Sequence, residues 1–178
     1  MRYSLKTFDP QQVIDIKNQV VDVYKSVYSL PPYKETEGQI ESFFKSLEVR
    51  VAKSGFLFVG AVDEAGCLVG FTYGWKSVPG DTWNIKLSQQ LGELSAQWLS
   101  NCFEFVDLAV MPSAQGSGLG RDLTKNLFAI VDAKTAILLT HQTTTKASEM
   151  YLRNGWMKLV EHFEVAPGKF YQIMGKFL

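Results

Sequence analysis

Between Phe103 and Ala133 the chain runs from an apolar stretch, Phe103 to Val110, through Met111-Pro112 and a glycine-rich turn, into a segment with helical periodicity from about Leu119. Strand, glycine turn and helix in that order leave few topologies open, because the turn must expose backbone where a strand meets a helix N-terminus. Around this unit the hydrophobic period switches repeatedly between two and 3.6 residues. Tyr3 to Phe8 alternates like a short strand, and Asp9-Pro10 then supplies an N-cap and a first-turn proline. One helix is expected from there to Pro31-Pro32, with Val13, Ile16, Val20, Val23, Tyr24 and Val27 as its buried stripe. A second should cover Thr36 to Lys53, led by Ile40, Phe43, Phe44, Leu47 and Val51. Phe56 to Val62 and Cys67 to Trp75 read as a hairpin about Asp63-Glu64-Ala65-Gly66. Ser77 to Ser100 is spaced as an amphipathic helical insertion between the third and fourth strands, expected to lie over that hairpin. Thr135 to Thr140 is a further strand, Thr145 to Arg153 a short helix, and Trp156 to Val165 with Phe170 to Phe177 a closing hairpin about Pro167-Gly168.

Composition narrows the function classes. The chain has 178 residues, enough for one domain to bury a sizeable core, so residues 1–178 are read as a single domain. Lys plus Arg and Asp plus Glu are both 18, so no global field would draw nucleic acid or an anionic membrane to it. The N-terminus has no apolar run of signal-peptide type and no stretch is long enough to span a bilayer, which points to the cytoplasm. Cys67 and Cys102 lack the paired spacing of a metal or redox site and are expected to be buried thiols. His141 and His162 have no metal-ligand spacing, so no metal is expected. Trp75, Trp83, Trp98 and Trp156 fall at apolar positions and read as core.

The segment from Leu108 through Arg121 holds Gly116, Gly118 and Gly120. Backbone amides in such a turn, together with the positive end of the following helix, form a ready site for a pyrophosphate. The dinucleotide pattern G-x-G-x-x-G fails, since counting from Gly116 its last glycine falls on Arg121, and no Gly-Lys-Ser/Thr ending follows for a nucleotide triphosphate. What fits is Gln115-x-x-Gly118-x-Gly120, which resembles the acyl-CoA pyrophosphate motif Q/R-x-x-G-x-G/A of the GNAT superfamily of N-acetyltransferases. Ala147 to Trp156, with Tyr151 and Gly155, resembles the same family's A-x-x-L-Y-x-x-x-G-F/W helix and turn. Where many members carry asparagine three residues before the helix alanine, this chain has Thr144, whose hydroxyl could take part of that contact.

The resemblance implies an α/β (α+β) fold with a mixed, largely antiparallel central sheet of six to seven strands flanked by helices. It implies acetyl transfer from acetyl-CoA to a primary amine of a small molecule or peptide by direct attack. The alternative is a non-catalytic acyl-CoA-binding sensor or scaffold, which would keep the glycine loop without needing Tyr151 or a strand carboxylate. Cofactor contacts implied by the motifs are Leu108, Ala109, Val110, Gln115, Gly116, Ser117, Gly118, Leu119, Gly120, Arg121, Thr144 and Ala147, with the Val110 amide polarising the acetyl carbonyl. Tyr151 matches the family's general-acid tyrosine. Glu104 falls where the histone-modifying branch keeps its glutamate base, and Asp107 where many small-amine enzymes carry an acidic residue. Three residues apart on one regular strand, they point to opposite faces. Glu104 is preferred as base, with Asp107 attracting the substrate ammonium or holding the site together, and either could instead end the strand in solvent. Tyr24, Tyr28 and Tyr33 fall in the region that covers the acceptor in that family, and the apolar faces of Ser77 to Ser100 could form a homodimer interface.

Overall fold

Strand and helix periods resolve into seven strands and seven α-helices among the residues described by a computed structural model, which are 2–142, 145–166 and 168–178. The strands are β1 (Tyr3–Phe8), β2 (Leu57–Asp63), β3 (Leu68–Lys76), β4 (Cys102–Val110), β5 (Thr135–His141), β6 (Met157–Ala166) and β7 (Lys169–Phe177). They are hydrogen-bonded in the order β1-β2-β3-β4-β5-β7-β6. The pairs β1·β2, β2·β3, β5·β7 and β6·β7 are antiparallel, whereas β4·β5 is parallel, so the sheet is mixed and takes the upper strand number expected. The chain divides into two compact units, one formed by residues up to Gly74 with Asp107–Val131, the other by Trp75–Val106 with Asp132–Leu178. Strands β3 and β4 contribute residues to both.

In the first unit the Asp9 side chain accepts from Gln12 N at 2.9 Å, and the Gln12 side chain answers the Asp9 N–H, a capping box that starts α1 (Pro10–Asp15). The single helix expected here is divided at Ile16 (φ −100°, ψ 17°) and resumes as α2 (Lys17–Tyr28). No glycine or proline marks the break, and Ile16 N and Val20 N keep partners across it at Gln12 O and Ile16 O, so nothing local in the sequence announces it. Thr36 caps α3 (Glu37–Val51) in the same way and sets its buried face of Ile40, Phe43, Leu47 and Val51. Residues Leu119, Leu123 and Leu127 of α6 (Leu119–Phe128) are buried. The core between these elements is aromatic, with Phe58 and Phe71 stacked at 5.4 Å between centroids. The helix expected to reach Ala133 stops at Phe128, before the β-branched pair Ile130 and Val131 whose χ1 restriction disfavours helix.

In the second unit β5, β7 and β6 form an antiparallel group, joined by Cys102–Glu104 of β4 in parallel register with Thr135–Ile137. The insertion after β3 is two helices, α4 (Thr82–Leu91) and α5 (Ser95–Leu99), separated at Gly92, which takes φ 54°. Its apolar face was expected over the hairpin of residues 56–75. Leu87, Leu91, Trp98 and Leu99 instead pack with Cys102, Ile137, Phe163 and Ile173, one buried apolar position from each of β4 to β7, where contact removes their surface from water. Thr145 caps α7 (Lys146–Arg153) and Gly155, at φ 82°, ends it. Pro167 of the closing turn lies outside the described residues. Cys102 is buried as expected, but Cys67 is exposed because it stands in the β2–β3 turn rather than in a strand.

Candidate functional site

Strand β4 and the loop after it belong to the first unit from Asp107 onward. Met111 N donates to Val69 O and the Thr72 hydroxyl donates to Asp107 O, so the odd-numbered backbone groups of this stretch face β3. Alternation then turns the N–H and C=O of Val110 to the opposite edge, where the Val110 carbonyl accepts from Gln115 Nε2 at 2.9 Å. Gln115 thus ties the loop to the end of the strand while its residue remains exposed. A short 3₁₀ turn over Pro112–Ala114 leads to Gly116 (φ 76°) and Gly118 (φ 88°), both in the left-handed region that side chains avoid. Gly118 is the N-cap of α6 and no side chain caps that end, so the first amides of the helix stand at the positive end of its dipole without a side-chain acceptor. Open space surrounds a Cβ built at Gly116, while one at Gly118 would come 3.2 Å from the Arg121 guanidinium. Gly120 lies inside the first turn of α6 with ordinary helical backbone, so only Gly116 and Gly118 of the three need glycine for φ. Ser117 Oγ donates to Ala114 O at 2.7 Å, Leu119 is buried, and Arg121 is exposed beside Asp122 at 3.5 Å.

Asp107, at the start of this segment, is surrounded by polar partners from three elements. Its Oδ1 accepts from Tyr28 OH at 3.4 Å, its Oδ2 accepts from Tyr73 OH, and Arg50 Nη1 lies 3.7 Å from Oδ2. Arg50 also donates to Tyr73 OH at 2.8 Å and to Ser46 Oγ at 2.9 Å, so one line of bonds runs from α3 through β3 to β4. Burial, and then the charge of Asp107, pushes the Tyr73 phenol well above its ordinary value, which keeps it a donor. The Tyr24 ring stacks on Phe43 at 3.7 Å and its hydroxyl donates to Glu35 Oε1 at 3.1 Å. Burial first, then Asp107 and Glu35, raise its pKa, and burial followed by Asp107 raises that of Tyr33. Tyr24 and Tyr28 lie 4.2 Å apart between centroids, and Tyr28 and Tyr33 4.8 Å. The three expected acceptor-side tyrosines therefore form one continuous wall that reaches Asp107.

Glu104 and Tyr151 belong to the second unit. Glu104 is 5% exposed, and its Oε2 accepts from Trp75 Nε1 at 2.7 Å. Tyr151 is 8% exposed, edge-on to Phe105 at 6.1 Å and to Trp156 at 5.8 Å. Alternation along β4 puts Glu104 and Phe105 on opposite faces, so the Tyr151 ring and the Glu104 carboxylate stand on opposite sides of the strand. Ala147 is half-buried one turn before Tyr151 on α7. Thr144 lies outside the described residues. Burial pushes the Cys102 thiol up to about 12, with the charge of Glu104 adding to the rise. His141 is lowered by burial. Among the described residues no group of three His, Cys, Asp or Glu could hold a metal, and no helix is long and apolar enough to cross a membrane.

Neither strand carboxylate ends in open solvent: Glu104 is buried and the Asp107 side chain is 16% exposed. Three residues tied to them escaped the sequence reading. Arg50 and Tyr73 hold Asp107, and a single arginine within the apolar stripe of α3 is the one local signal for either. Trp75 was expected in the core; it is half-buried and its N–H is committed to Glu104.

Residues 18–156 match the model of the acetyltransferase (GNAT) family. A GCN5-like protein acetyltransferase of Mycobacterium tuberculosis is 30% identical over 122 residues, 62% of this chain and 59% of that protein. The chain thus spans about three fifths of that curated relative's length. Among solved structures, the PaiA N-acetyltransferase of Thermoplasma acidophilum in complex with coenzyme A superimposes with a TM-score of 0.65 at 17% identity, covering 100% of both chains. An acetyltransferase from Streptococcus agalactiae gives a TM-score of 0.70 at 12% identity, with 99% of this chain and 98% of that one covered. At these identities the structural likeness establishes the fold.

Proposed function

Because the chain belongs to the acetyltransferase (GNAT) family, we propose that it is an acetyl-CoA-dependent N-acetyltransferase acting on the primary amine of a small molecule or peptide. The observation that carries this reading is the end of β4 turning through Gly116 and Gly118 into a helix whose N-terminus no side chain caps. Such a turn fits a diphosphate, since positions 116 and 118 carry no Cβ and the uncapped amides lie at the positive end of the helix dipole. The Thermoplasma neighbour with bound coenzyme A supports the choice of anion, and the relative described as a protein acetyltransferase supports an amine acceptor.

In this reading the amides of Gly116 to Gly120 would hold the diphosphate, and the exposed Arg121 would add positive charge nearby. Leu108 to Val110 would hold the pantetheine arm, with the Val110 N–H available to polarise the acetyl carbonyl. Bound acetyl-CoA supplies an activated carbonyl on a thiolate leaving group. Glu104, on the opposite side of β4 from Tyr151, takes the proton of the acceptor's ammonium through intervening water, leaving a nucleophilic amine. Tyr151 would donate its hydroxyl proton to the leaving thiolate. Asp107, bound by two phenols and a guanidinium, is assigned to hold the Tyr24, Tyr28 and Tyr33 wall on the acceptor side rather than to take the proton.

Calorimetric titration with CoA tests the loop. Gly118→Val forces a Cβ into left-handed backbone, costing about 1–2 kcal/mol of stability, and should weaken CoA at least tenfold. Normal CoA binding by that variant would remove the loop from the site. Thiol release from acetyl-CoA across a panel of small amines and lysine peptides then tests the chemistry. CoA binding without thiol release on any amine would mark the chain as a CoA-binding sensor.

A further inference from the structure

The carbonyl of Ala109 and the N–H of Val110 belong to one peptide group, which is planar and trans, so they point in opposite directions. On this stretch of β4 the odd-numbered backbone groups face β3, because Met111 N donates to Val69 O at 2.9 Å and the Thr72 hydroxyl donates to Asp107 O. Ala109 O is therefore directed at β3 and the Val110 N–H at the opposite edge. Thr72 beside Asp107 and Val69 beside Met111 also make the two strands antiparallel here, and Gly70 falls opposite Ala109 and Val110. We propose that Gly70 is a positioning residue for acetyl transfer: its missing side chain lets β3 close on Ala109 O and so sets where the Val110 N–H meets the acetyl oxygen. The inference rests on the reading of Val110 as the donor to that oxygen and goes beyond it by naming what fixes the donor's place.

Glycine weakens a strand interior, so its presence in β3 calls for a reason. Gly70 has no left-handed φ, and space alone asks for glycine there. It is buried, and a Cβ built on it would stand 3.1 Å from Ala109 O, 3.3 Å from Leu123 Cδ1 and 3.4 Å from Val110 Cγ2. These neighbours differ in how they can give way. Leu123 meets the Cβ with the far end of its side chain, which moves by a small change of rotamer. Ala109 O has no such freedom: the plane that carries it also carries the Val110 N–H, so pushing the oxygen shifts or tilts the donor. A donor to a developing oxyanion works over about 2.7–3.1 Å, where a few tenths of an ångström matter. The glycine turn that would hold the diphosphate lies beyond Met111, whose N–H is tied to Val69 O, so grip on the cofactor and polarisation of its carbonyl are separable. Gly60 on β2 offers the contrast. Its Cβ would come 2.8 Å from Leu68 Cδ1 and 2.8 Å from Phe8 Cε2, both side-chain atoms and neither on β4.

The test uses the full chain with acetyl-CoA carrying ¹³C at the thioester carbonyl. In the parent that signal should move downfield on binding, as an N–H donor polarises the carbonyl, and Gly70→Ala should bring it back toward the free value. On an amine that the parent acetylates, the same variant should lower kcat about ten- to a hundredfold while the CoA dissociation constant from calorimetry stays within about twofold. Gly60→Ala, which crowds the sheet away from β4, should lower the melting temperature and leave the carbonyl signal and kcat at parent values. Adding Leu123→Val to Gly70→Ala relieves the helix-side contact and covers the case in which the single variant folds poorly; the losses should persist, because Ala109 O is still pressed. Parent-like carbonyl signal and kcat in Gly70→Ala, recovery of both in the double variant, a CoA affinity that falls in step with kcat, or the same losses in Gly60→Ala would each overturn the proposal. A carbonyl signal that does not move when the parent binds acetyl-CoA would instead remove Val110 as the donor, a failure of the underlying reading that is distinct from a failure of Gly70.

Discussion

Two carboxylates three residues apart on β4 have been given opposite surroundings. Asp107 sits among Tyr28, Tyr73 and Arg50, with a guanidinium 3.7 Å from one oxygen and a phenol on each. Glu104 is 5% exposed and accepts from the Trp75 indole N–H at 2.7 Å. The first environment ties a carboxylate of the strand to two helices and a neighbouring strand; the second removes a carboxyl from solvent and fixes one of its oxygens. Position along a strand, then, says little about which acid does chemistry, and the kind of donor each one meets says a good deal.

The sharpest way to break this contrast is to remove each acid in turn. Glu104→Gln should lower kcat by about 10²- to 10⁴-fold with little change in melting temperature, read from thiol release. Asp107→Asn should do the reverse, costing about 2 kcal/mol of stability, a fall in Tm of about 4–8 °C for a chain of this size, through the bonds lost by Arg50 and Tyr73. If Asp107→Asn costs more in rate than Glu104→Gln, the two roles must be exchanged. Tyr151→Phe should slow transfer by about ten- to a thousandfold while CoA affinity holds, and unchanged turnover would remove it from the mechanism.

Smaller effects sharpen the same picture from the first unit. The raised pKa values of Tyr24, Tyr33 and Tyr73 mean that these phenols stay protonated in the folded protein above pH 10, where an unfolded tyrosine ionises. Folding stability should therefore be level below about pH 10 and fall as pH rises beyond it. Absorbance of tyrosinate followed alongside alkaline unfolding checks this, and full tyrosine ionisation before unfolding would contradict the buried wall. The smallest effect is at the cysteines. A thiol reagent should label Cys67 promptly and leave Cys102, buried and raised to about 12, until the protein unfolds.

Local rules carried much of the fold. Capping boxes at Asp9, Thr36 and Thr145 appear where the residue types place them, and alternation located all seven strands to within a residue or two. They failed where a contact distant in sequence decides. The interruption at Ile16 and the packing of α4 and α5 on β4, β5, β6 and β7 have no strong mark in their own segments.

What the residues alone determined is the backbone machinery after β4. Glycine at 116 and 118 fixes a left-handed path into α6, and no distant partner is needed for that. Tertiary structure decided what surrounds the acids. Trp75 reaches Glu104, and Tyr73 with Arg50 reaches Asp107, only through the register of β3 against β4 and the docking of α3. A pairing whose partners are separated by two intervening helices leaves no periodic trace in either strand, because each strand's pattern records only which face is buried and not which residue stands opposite.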